Sequence, residues 1–517
     1  MKPAKSFLLV SMFVLLSISL FSQRGNKSEP APDDTPGGLR IRLSYTDNIS
    51  QAPISGRILV GFQKDLRKSV NPDIFNPQPA FAMDVTDWKP GETVVMDCVN
   101  SVKQKHDMDS LDGWYAVQAI MVTSHSSRIL TDAIFSPGGL AVTNKNIVYI
   151  DKGKMCMPLD LLFSVAPAPP VFKETETVRK VSIRSELLTQ FYGENDSILA
   201  AVILPASYYK EKDRVYPTVY VFGGWGASIY SGLGFQQKRY GMSGYGTEKI
   251  FVIVNHECRS GFHNFCSSET NGPREETFFS ELLPYIEKEY RVDRDPRTRF
   301  LAGQSSGAWA ALWLLVNYPD RFGGAFAGSP DPVDFTEFAG TNIYDNEANM
   351  YYDKAGAEKH LINMKGNPAD STDKGLAFRD FVDLDRLAGW GEQMYSLDAT
   401  FSRRGHDGEP ERLFDWETGV VNPAVAASWE KHDLSWRVAR LDKNQRNALR
   451  SKIHIYVNED DLFSLDEPVK RFREILSRED INADIQIFPA AGHDVWTDEV
   501  RKEMHDAMDS VIVAINQ

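Results

Sequence analysis

The sequence has a deficit of positive charge. Lysine and arginine number 57 against 71 acidic residues, which gives a formal net charge of −14 and a pI near 5.3. A chain that binds nucleic acid needs a basic surface to neutralise phosphates, so this balance argues against a nucleic-acid partner. No internal repeat is found, and a composition of 42% hydrophobic and 25% charged residues is typical of soluble globular domains.

Long hydrophobic runs are scarce as well. The N-terminus has one, from Phe7 to Phe21, and Lys2 and Lys5 precede it. A run of roughly 15 residues is shorter than the ~20 that span a bilayer. The pattern therefore predicts a secretory signal peptide over 1–22, cleaved near Ser22, with a single membrane anchor as the alternative. No later segment is apolar enough to cross a membrane. We expect an exported protein, periplasmic or extracellular, without stable membrane insertion and of undetermined oligomeric state.

Cysteine is rare. The four cysteines are Cys98, Cys156, Cys258 and Cys266. Export permits disulfides, and although their pairing cannot be deduced from the sequence, Cys258 with Cys266 is the first expectation because it closes a short loop. His256 and His263 lie close to these two cysteines, and such ligand types could also form a zinc set. Export and the position in a loop after a strand favour the disulfide, with both histidines facing substrate.

Two different patterns of apolar residues occur along the chain. Short alternating runs between turn clusters predict an all-β domain, an immunoglobulin-like sandwich. Later, nearly all-apolar strands alternate with helical segments, which predicts an α/β fold with a parallel sheet. The expected divisions are a flexible tether over 23–38, the β-sandwich domain over 39–165, a proline-rich linker over 166–174, and the α/β catalytic domain over 175–517, with an insertion or lid over 331–450.

The stretch RFLAGQSSGAWAALWLL, residues 299–315, has a serine between two glycines where a strand meets a helix. Glycine permits a tight bend, so the turn alone has a structural explanation. The placement also fits a nucleophile elbow, in which the central serine, here Ser305, is held out of the fold. The motif alone is weak, but its strand-to-helix context predicts a nucleophile.

A serine nucleophile needs a histidine base and a carboxylate that orients it. His493 follows the apolar run IQIFPA and precedes the final helix, while Asp460 and Asp461 follow the strand IHIYVN. The chain order Ser, acid, His is that of the α/β-hydrolases. These positions predict a triad of Ser305, His493 and either Asp461 or Asp460.

The oxyanion of an acyl-transfer intermediate needs two N–H donors. Ser306 follows the nucleophile and supplies one. The strand-turn YPTVYVFGGWG supplies the other, which we assign to Trp225. This chemistry requires no metal and no cofactor.

Taken together, these motifs resemble the putative-esterase superfamily of α/β-hydrolases, which includes enterochelin esterases, feruloyl esterases, S-formylglutathione hydrolases and mycolyltransferases. The resemblance covers roughly 175–517 and rests on LPASYY, YPTVYVFGGWG, GQSSG followed by YPDRFGG, the acid after IHIYVN, and AGH before the last helix. It implies an α/β-hydrolase fold and a serine esterase acting on a carbohydrate-linked acetyl or feruloyl ester. A siderophore trilactone is the second substrate class that it implies. An N-terminal immunoglobulin-like domain is familiar in its branches.

The chain departs from the family at three positions. The spacing Gly-x-x-Asp at the acid is replaced by Asn-Glu-Asp-Asp, which favours Asp461 and leaves Asp460 open. Gln304 stands where the elbow often has histidine, and Phe222 stands where a histidine commonly precedes the glycines of the oxyanion turn. The last change puts the orientation of the substrate in doubt more than its reactivity.

Several residues have two interpretations. Asp331, like His256 and His263, is expected at the rim of the site, where it either contacts substrate or caps a helix. Trp416, Trp429 and Trp436 in the insertion form either a sugar-stacking platform or the core of the insertion itself. The rival to the enzyme is a catalytically inactive surface protein that binds glycans, although such a relic would be expected to have lost part of the triad.

Overall fold

The structure is a computed structural model. It describes residues 38–70, 78–103, 106–122, 141–155, 157–166, 171–230, 232–362, 375–389, 391–515 and 517. The predicted signal segment, nearly all of the tether, Cys156 and residues 167–170 of the linker lie outside these residues. Among the described residues, no helix is both long and apolar enough to cross a membrane.

The N-terminal part is a sheet of nine strands. They are β1 Ile41–Tyr45, β2 Ile54–Gln63, β3 Ala80–Trp88, β4 Val94–Met96, β5 Val102–Lys103, β6 Gly113–Val122, β7 Ala141–Thr143, β8 Asn146–Ile150 and β9 Leu159–Val165. The strand order is β4-β1-β9-β7-β6-β2-β3-β5, with β8 also on β6, and all pairs are antiparallel except β1 with β9. Inward side chains such as Phe62 and Trp88 form a core that belongs to this sheet.

The second sheet has eight strands and carries the site. They are β10 Val178–Arg184, β11 Ser197–Ile203, β12 Thr218–Phe222, β13 Ile250–Val254, β16 Arg299–Gln304, β17 Gly324–Gly328, β18 Ile453–Asp460 and β19 Asp484–Ala491; a short hairpin, β14 Glu257–Cys258 and β15 Gly261–Phe262, lies apart. The order is β10-β11-β13-β12-β16-β17-β18-β19, parallel from β13 onward. From β12 the chain continues to β13 on one side of the sheet, and from β16 it continues to β17 on the other side. The boundary between β12 and β16 is therefore a topological switch point, where ligands of α/β sheets bind.

Helices cover both faces of this sheet. They are α1 Glu186–Tyr192, α2 Leu233–Arg239, α3 Arg274–Thr277, α4 Leu283–Glu289, α5 Ser306–Asn317, α6 Phe378–Ala388, α7 Gln393–Phe401, α8 Pro423–Trp429, α9 Leu434–Val438, α10 Lys443–Leu449, α11 Asp466–Arg478 and α12 Asp498–Ile515. Alternate residues of β12 belong to different cores: Tyr220 packs with α5, and Val221 packs with α12. This alternation explains why the strand sequences are almost entirely apolar.

Residues 329–452 connect β17 to β18 and contain helices α6 to α10. This segment lies over the carboxyl ends of the central strands. Helix α6 also contacts β2, β3 and β5 of the N-terminal sheet. Four residues of that sheet are buried in the same apolar cluster as the catalytic core, namely Leu59, Ala80, Ala82 and Ile120. The two parts of the chain therefore share buried surface.

Candidate active site

Ser305 occupies a strained turn between β16 and α5. Its backbone has φ 57° and ψ −127°, a conformation that residues other than glycine rarely adopt. The flanking glycines are there because of close packing. A Cβ on Gly307 would overlap the carbonyl oxygens of Phe222 and Gly223, and a Cβ on Gly303 would overlap the carbonyl of Gly307. The turn can therefore hold the Ser305 side chain at the carboxyl end of the sheet only with glycine at both positions.

His493 and Asp461 form a hydrogen-bonded pair at the ends of the neighbouring strands. His493 Nδ1 lies 3.0 Å from Asp461 Oδ2. The Asp461 side chain is fully buried, and its Oδ1 accepts the backbone N–H of Phe463 at 2.9 Å. Asp460, the alternative acid, is exposed at the end of β18. The hydrogen bond goes to Asp461, which leaves the other ring nitrogen of His493 free to act as the base.

Gln304 connects the elbow to the loop of the histidine. Its Nε2 donates to the carbonyl oxygen of His493 at 2.8 Å, and its Oε1 accepts from Trp496 Nε1 at 2.7 Å. Sequence reasoning assigned it no role, and its only signal was the departure from the histidine usual in the family. The side chain holds the base loop against the strand of the nucleophile.

Asp331, which follows β17, contacts both elbow serines. Ser305 Oγ donates to Asp331 Oδ1 at 3.2 Å, and Ser306 Oγ donates to Oδ2 at 2.6 Å. Burial raises the pKa of this carboxyl, and the two hydroxyl donors oppose that rise. Asp331 lines the cavity, and its hydrogen bonds come from Ser305 and Ser306.

The predicted oxyanion donors flank Ser305. Ser306 is the first residue of α5, so its N–H has no acceptor within the helix. Trp225 follows β12, and a Cβ on the preceding Gly224 would lie 3.4 Å from the Cβ of Ser305. Trp225 and Ser305 both line one cavity. The backbone of the Gly224–Trp225 turn thus runs directly beside the nucleophile.

This cavity has a volume of about 450 Å³ and is mostly apolar. Its apolar side chains are Phe338, Leu361, Phe378, Phe381, Met394 and Leu397 from the insertion, with Leu462, Phe463 and Leu465 after β18. Its charged lining includes Arg239 and Asp494, which form an ion pair at 3.2 Å. Ser305 and His493 therefore open into a large apolar chamber whose wall is built mainly by the insertion.

His256 and His263 lie elsewhere. Both are buried, and His256 packs on Phe262 with ring centroids 3.6 Å apart, while His263 packs on Phe265 at 4.6 Å. Burial holds the pKa of each imidazole well below its usual value. Neither histidine is among the residues that line the cavity, so the structure corrects the expectation that they face substrate.

The expected Cys258–Cys266 disulfide is wrong, because both thiols are free. Cys258 Sγ lies 3.4 Å from Asn271 Oδ1, and Cys266 Sγ lies 3.4 Å from His432 Nδ1. Each thiol thus has its own polar neighbour on a different side of the loop. Among the described residues, no group of three or more His, Cys, Asp and Glu side chains is placed to hold a metal ion.

The tryptophans of the insertion have mixed positions. Trp429 is fully buried among Phe335, Phe338 and Phe401 and donates through Nε1 to Ser402 Oγ. Trp416 is also buried, and only Trp436 is partly exposed, beneath Arg440. Trp416 and Trp429 thus belong to the core of the insertion, which was the alternative to a sugar-stacking platform.

The model of a family described as putative esterase matches residues 194–494. An esterase of Mycobacterium tuberculosis strain H37Rv is 30% identical over 134 residues, which are 25% of this chain and 28% of the relative. The match therefore spans little more than a quarter of that curated relative.

Solved structures similar to the chain include two hydrolases. A ferulic acid esterase is 19% identical, with a TM-score of 0.40, over 65% of this chain and 97% of the other. An S-formylglutathione hydrolase from Agrobacterium tumefaciens is 14% identical, with a TM-score of 0.38, over 65% of this chain and 94% of the other.

Proposed function

The chain belongs to the putative esterase family of α/β-hydrolases, and from this premise we propose that it is a serine esterase whose triad is Ser305, His493 and Asp461. The single observation that carries the proposal is the strained Ser305 turn opening into the same cavity as His493, which is already paired with Asp461. Strain at one serine, with a base and a buried acid on adjacent strand ends, has a direct explanation in nucleophilic catalysis.

The reaction proceeds through an acyl-enzyme. Ser305 Oγ turns from Asp331 toward His493, gives its proton to the free ring nitrogen, and attacks the ester carbonyl. The N–H groups of Trp225 and Ser306 hold the oxyanion. The protonated His493 then passes the proton to the leaving alcohol as the C–O bond breaks. Asp461 orients the ring and stabilises its positive charge. Water, deprotonated by His493, hydrolyses the acyl-enzyme and restores Ser305.

The size and the apolar lining of the cavity suit an ester with a bulky apolar acyl group. A volume of about 450 Å³ lies within the range of about 300–1,000 Å³ that holds drug-sized ligands, and an acetyl group would leave most of it empty. Of the two acyl groups that the resemblance implies, the cavity favours the feruloyl type over acetyl. The carbohydrate as the alcohol part rests on the resemblance alone.

The test of the nucleophile is covalent labelling. The folded protein is treated with a fluorophosphonate, and the adduct is located by intact mass and peptide mapping. We expect one adduct on Ser305 and none in Ser305→Ala. The absence of an adduct on folded wild-type protein would overturn the proposal and favour the inactive glycan-binding alternative, which glycan-binding assays would then address.

The base has a matched control within the same two strands. His454 Nδ1 faces Asp484 Oδ2 at 3.4 Å at the start of β18, whereas the His493–Asp461 pair lies past its end. His493→Ala should reduce ester hydrolysis by about 10³-fold or more, since the triad acts as a unit. His454→Ala should retain the activity of the wild type. Comparable activity of the two variants would show that His493 is not the base.

The substrate class is tested with a panel of esters. Purified protein is assayed on acetylated xylan, feruloylated arabinoxylan fragments and a siderophore trilactone, with Ser305→Ala as the blank. We expect the highest kcat/KM on the feruloylated substrate. Preference for acetylated xylan or for the trilactone would leave the nucleophile in place and replace the acyl class.

We also propose that the chain is exported after removal of residues 1–22 and that residues 39–165 form an immunoglobulin-like sandwich. The signal pattern supports the first proposal, and the mostly antiparallel nine-stranded sheet with its own core supports the second. N-terminal sequencing of the mature protein from a culture would test export. A mature N-terminus near Gln23 is expected, and an intact Met1 in a cytosolic fraction would contradict it.

A further inference from the structure

We infer that the N-terminal β domain, residues 39–165, sets the shape of the acyl cavity indirectly, because Arg57 in β2 positions helix α6 of the insertion, which lines the cavity. The inference deepens the proposed function and rests on it for its kinetic consequence. Its structural part, that Arg57 holds the C-terminal end of α6, is independent of any activity.

Helix α6 stands between the cavity and the β domain. Phe378 and Phe381, one turn apart, line the cavity. Residues i and i+3 of a helix share a face, so these two rings form one wall. The same helix contacts β2, β3 and β5. A shift or tilt of α6 would therefore move both phenylalanines relative to Ser305.

Arg57 joins the two domains through hydrogen bonds of fixed geometry. Its Nε and Nη2 donate to the two carboxylate oxygens of Asp84, each at 2.7 Å. Its Nη1 donates to the carbonyl oxygens of Arg386 at 3.0 Å and Leu387 at 3.2 Å. Asp84 on β3 thus fixes the plane of the guanidinium, and the remaining nitrogen meets the end of α6.

The last carbonyls of a helix have no partners within the helix, and they attract positive charge. Arg57 supplies both the donor and the charge from another domain, and its side chain is 11% exposed. Gly389, which follows the helix, has φ +84°, and a Cβ there would overlap Arg57 Nη1. The glycine both turns the chain out of α6 and leaves room for the guanidinium.

The contact between Arg57 and α6 lies beside buried apolar surface. Leu59 on β2, Ala82 on β3 and Ile120 on β6 are each at most 2% exposed and belong to the same cluster as Phe378 and Leu387. These side chains hold α6 against the sheet, while the directional bonds of Arg57 set the position of its end. Arg57 is a positioning residue, since it contacts neither Ser305 nor the cavity.

The test compares Arg57→Met with a matched control, Arg42→Met. Arg42 forms the same two-pronged pair, with Asp160 at 2.6 and 2.7 Å, in the same domain, but its partner belongs to that domain and not to the insertion. Both variants and the wild type are assayed on 4-nitrophenyl acetate and 4-nitrophenyl octanoate. The acetyl group fills little of the cavity of about 450 Å³, whereas we expect the longer octanoyl chain to fill more of it and to pack against Phe378 and Phe381.

We expect Arg57→Met to lower kcat/KM on octanoate about 10-fold, chiefly through KM, and to change acetate hydrolysis less than twofold. Arg42→Met should change neither. The inference would be overturned if the ratio of the kcat/KM values on octanoate and acetate were the same in Arg57→Met as in the wild type. If both values fell by the same factor, the change would indicate damage to the catalytic centre or the fold.

A second variant approaches the contact from the other side. Gly389→Ala places a Cβ where Arg57 Nη1 lies, so it should displace the guanidinium and reproduce the loss on octanoate. Amide hydrogen exchange then reads α6 directly. Peptides covering 378–388 should exchange faster in Arg57→Met and Gly389→Ala than in Arg42→Met, while peptides from α12 should not differ.

The exchange measurement separates this inference from the proposed function. If no ester is hydrolysed and Ser305 takes no fluorophosphonate, the proposed function fails, while faster exchange in α6 still supports the positioning by Arg57. If the esters are hydrolysed through Ser305 but exchange in α6 is unchanged in both variants, the proposed function stands and the inference fails.

Discussion

The carboxyl of Asp331 accepts hydrogen bonds from both serines of the elbow, although it is not a member of the triad. Its bond from Ser306 Oγ, at 2.6 Å, restrains the first turn of α5, where the oxyanion N–H lies. Ser306 is buried, and among the described residues its hydroxyl donates to Asp331. Removing this acceptor would leave a buried hydroxyl unsatisfied, which is costly. The carboxyl thereby links the nucleophile to the geometry of the oxyanion site.

Asp331→Ala should therefore lower kcat about 10-fold or more with little change in KM, because the loss falls on transition-state geometry. Asp331→Asn keeps an acceptor oxygen and should lose less. Steady-state kinetics on a short aryl ester measures both. Asp334→Asn is the control, because Asp334 caps the short helical turn at Phe335 and does not line the cavity. Equal kcat values for wild type and Asp331→Ala would contradict the argument.

Asp398 in α7 makes stability depend on pH. It is fully buried, one of its oxygens accepts the N–H of Leu413, and the other has no hydrogen-bond partner among the described residues. Burial raises the pKa of this carboxyl from 3.8 to about 7. The folded protein therefore keeps the proton where the unfolded chain has released it, so stability should fall as the pH rises from about 4 to about 7.

Asp398→Asn should unfold like the wild type near pH 4 and be more stable at pH 8, by about 4 kcal/mol. Denaturant unfolding at the two pH values measures the difference. Asp415→Asn should have the opposite effect and make the protein less stable at pH 8, since hydrogen bonds from Thr418 lower the pKa of Asp415 and favour its charged form. An equal effect of Asp398→Asn at both pH values would contradict the assigned protonation.

Sequence reasoning predicted the residues of the site whose positions follow from strand ends. Ser305, Asp461 and His493 are expected on that ground, with Asp461 favoured over Asp460 by spacing; the structure pairs Asp461 with His493 and places His493 and Ser305 on one cavity, and their catalytic roles stay a prediction. The same reasoning misplaced His256 and His263, because a strand end does not tell which way the following loop folds. Phe262 and Phe265 are buried in the core, and His256 and His263 pack against them there. Gln304 was missed because its partners come from a distant loop.

Among the elements, the strand-turn-helix of the elbow is the least tolerant of change. Gly307→Ala should destabilise the protein severely, on the order of 3 kcal/mol, because its Cβ would overlap the backbone of β12. Gly234→Ala in α2 is the matched control, since a Cβ there meets nothing within 4 Å. The control should be neutral or slightly stabilising. Thermal unfolding compares the two, and equal Tm values would contradict the packing argument.

Several helices were predictable from residue content and position. The sequence predicts helices at 308–317, 467–477 and 497–516, and they are found as α5, α11 and α12 with ends shifted by one or two residues. Helix α6 was not predicted, since it lies in the segment interpreted as an insertion, and two of its buried positions hold Asp383 and Asp385. Asp385 accepts backbone N–H groups from α7, so its burial is compensated by a neighbour that periodicity does not reveal.

For the whole molecule, the shared buried surface predicts that the two sheets unfold together. Calorimetry of the protein should show one transition, because separating the domains would expose Leu59, Ala82 and Ile120 along with α6. Arg42→Met should keep the single transition. Two resolved transitions would show that the interface contributes little to stability.

The α/β arrangement and an all-β N-terminal part were predictable from the sequence, because the pattern of apolar residues along a strand indicates which of its faces are buried. The contact between them did not. It depends on Arg57, a polar residue in an apolar strand, and on a helix more than 300 positions later in the chain. Such long-range pairs have no local signal in a single sequence.

The insertion separates Ser305 from Asp461 and His493 along the chain, although Ser305 and His493 line one cavity in the fold. Ser305 precedes residues 329–452, while Asp461 and His493 follow them. During ribosomal synthesis, a nascent chain that has emerged only as far as the insertion carries the elbow serine without any means of activating it. Chains truncated by premature termination or by proteolysis before β18 would be equally inert. With the triad proposed above, the order of the segments therefore delays esterolytic activity until the catalytic domain has been almost completely synthesised.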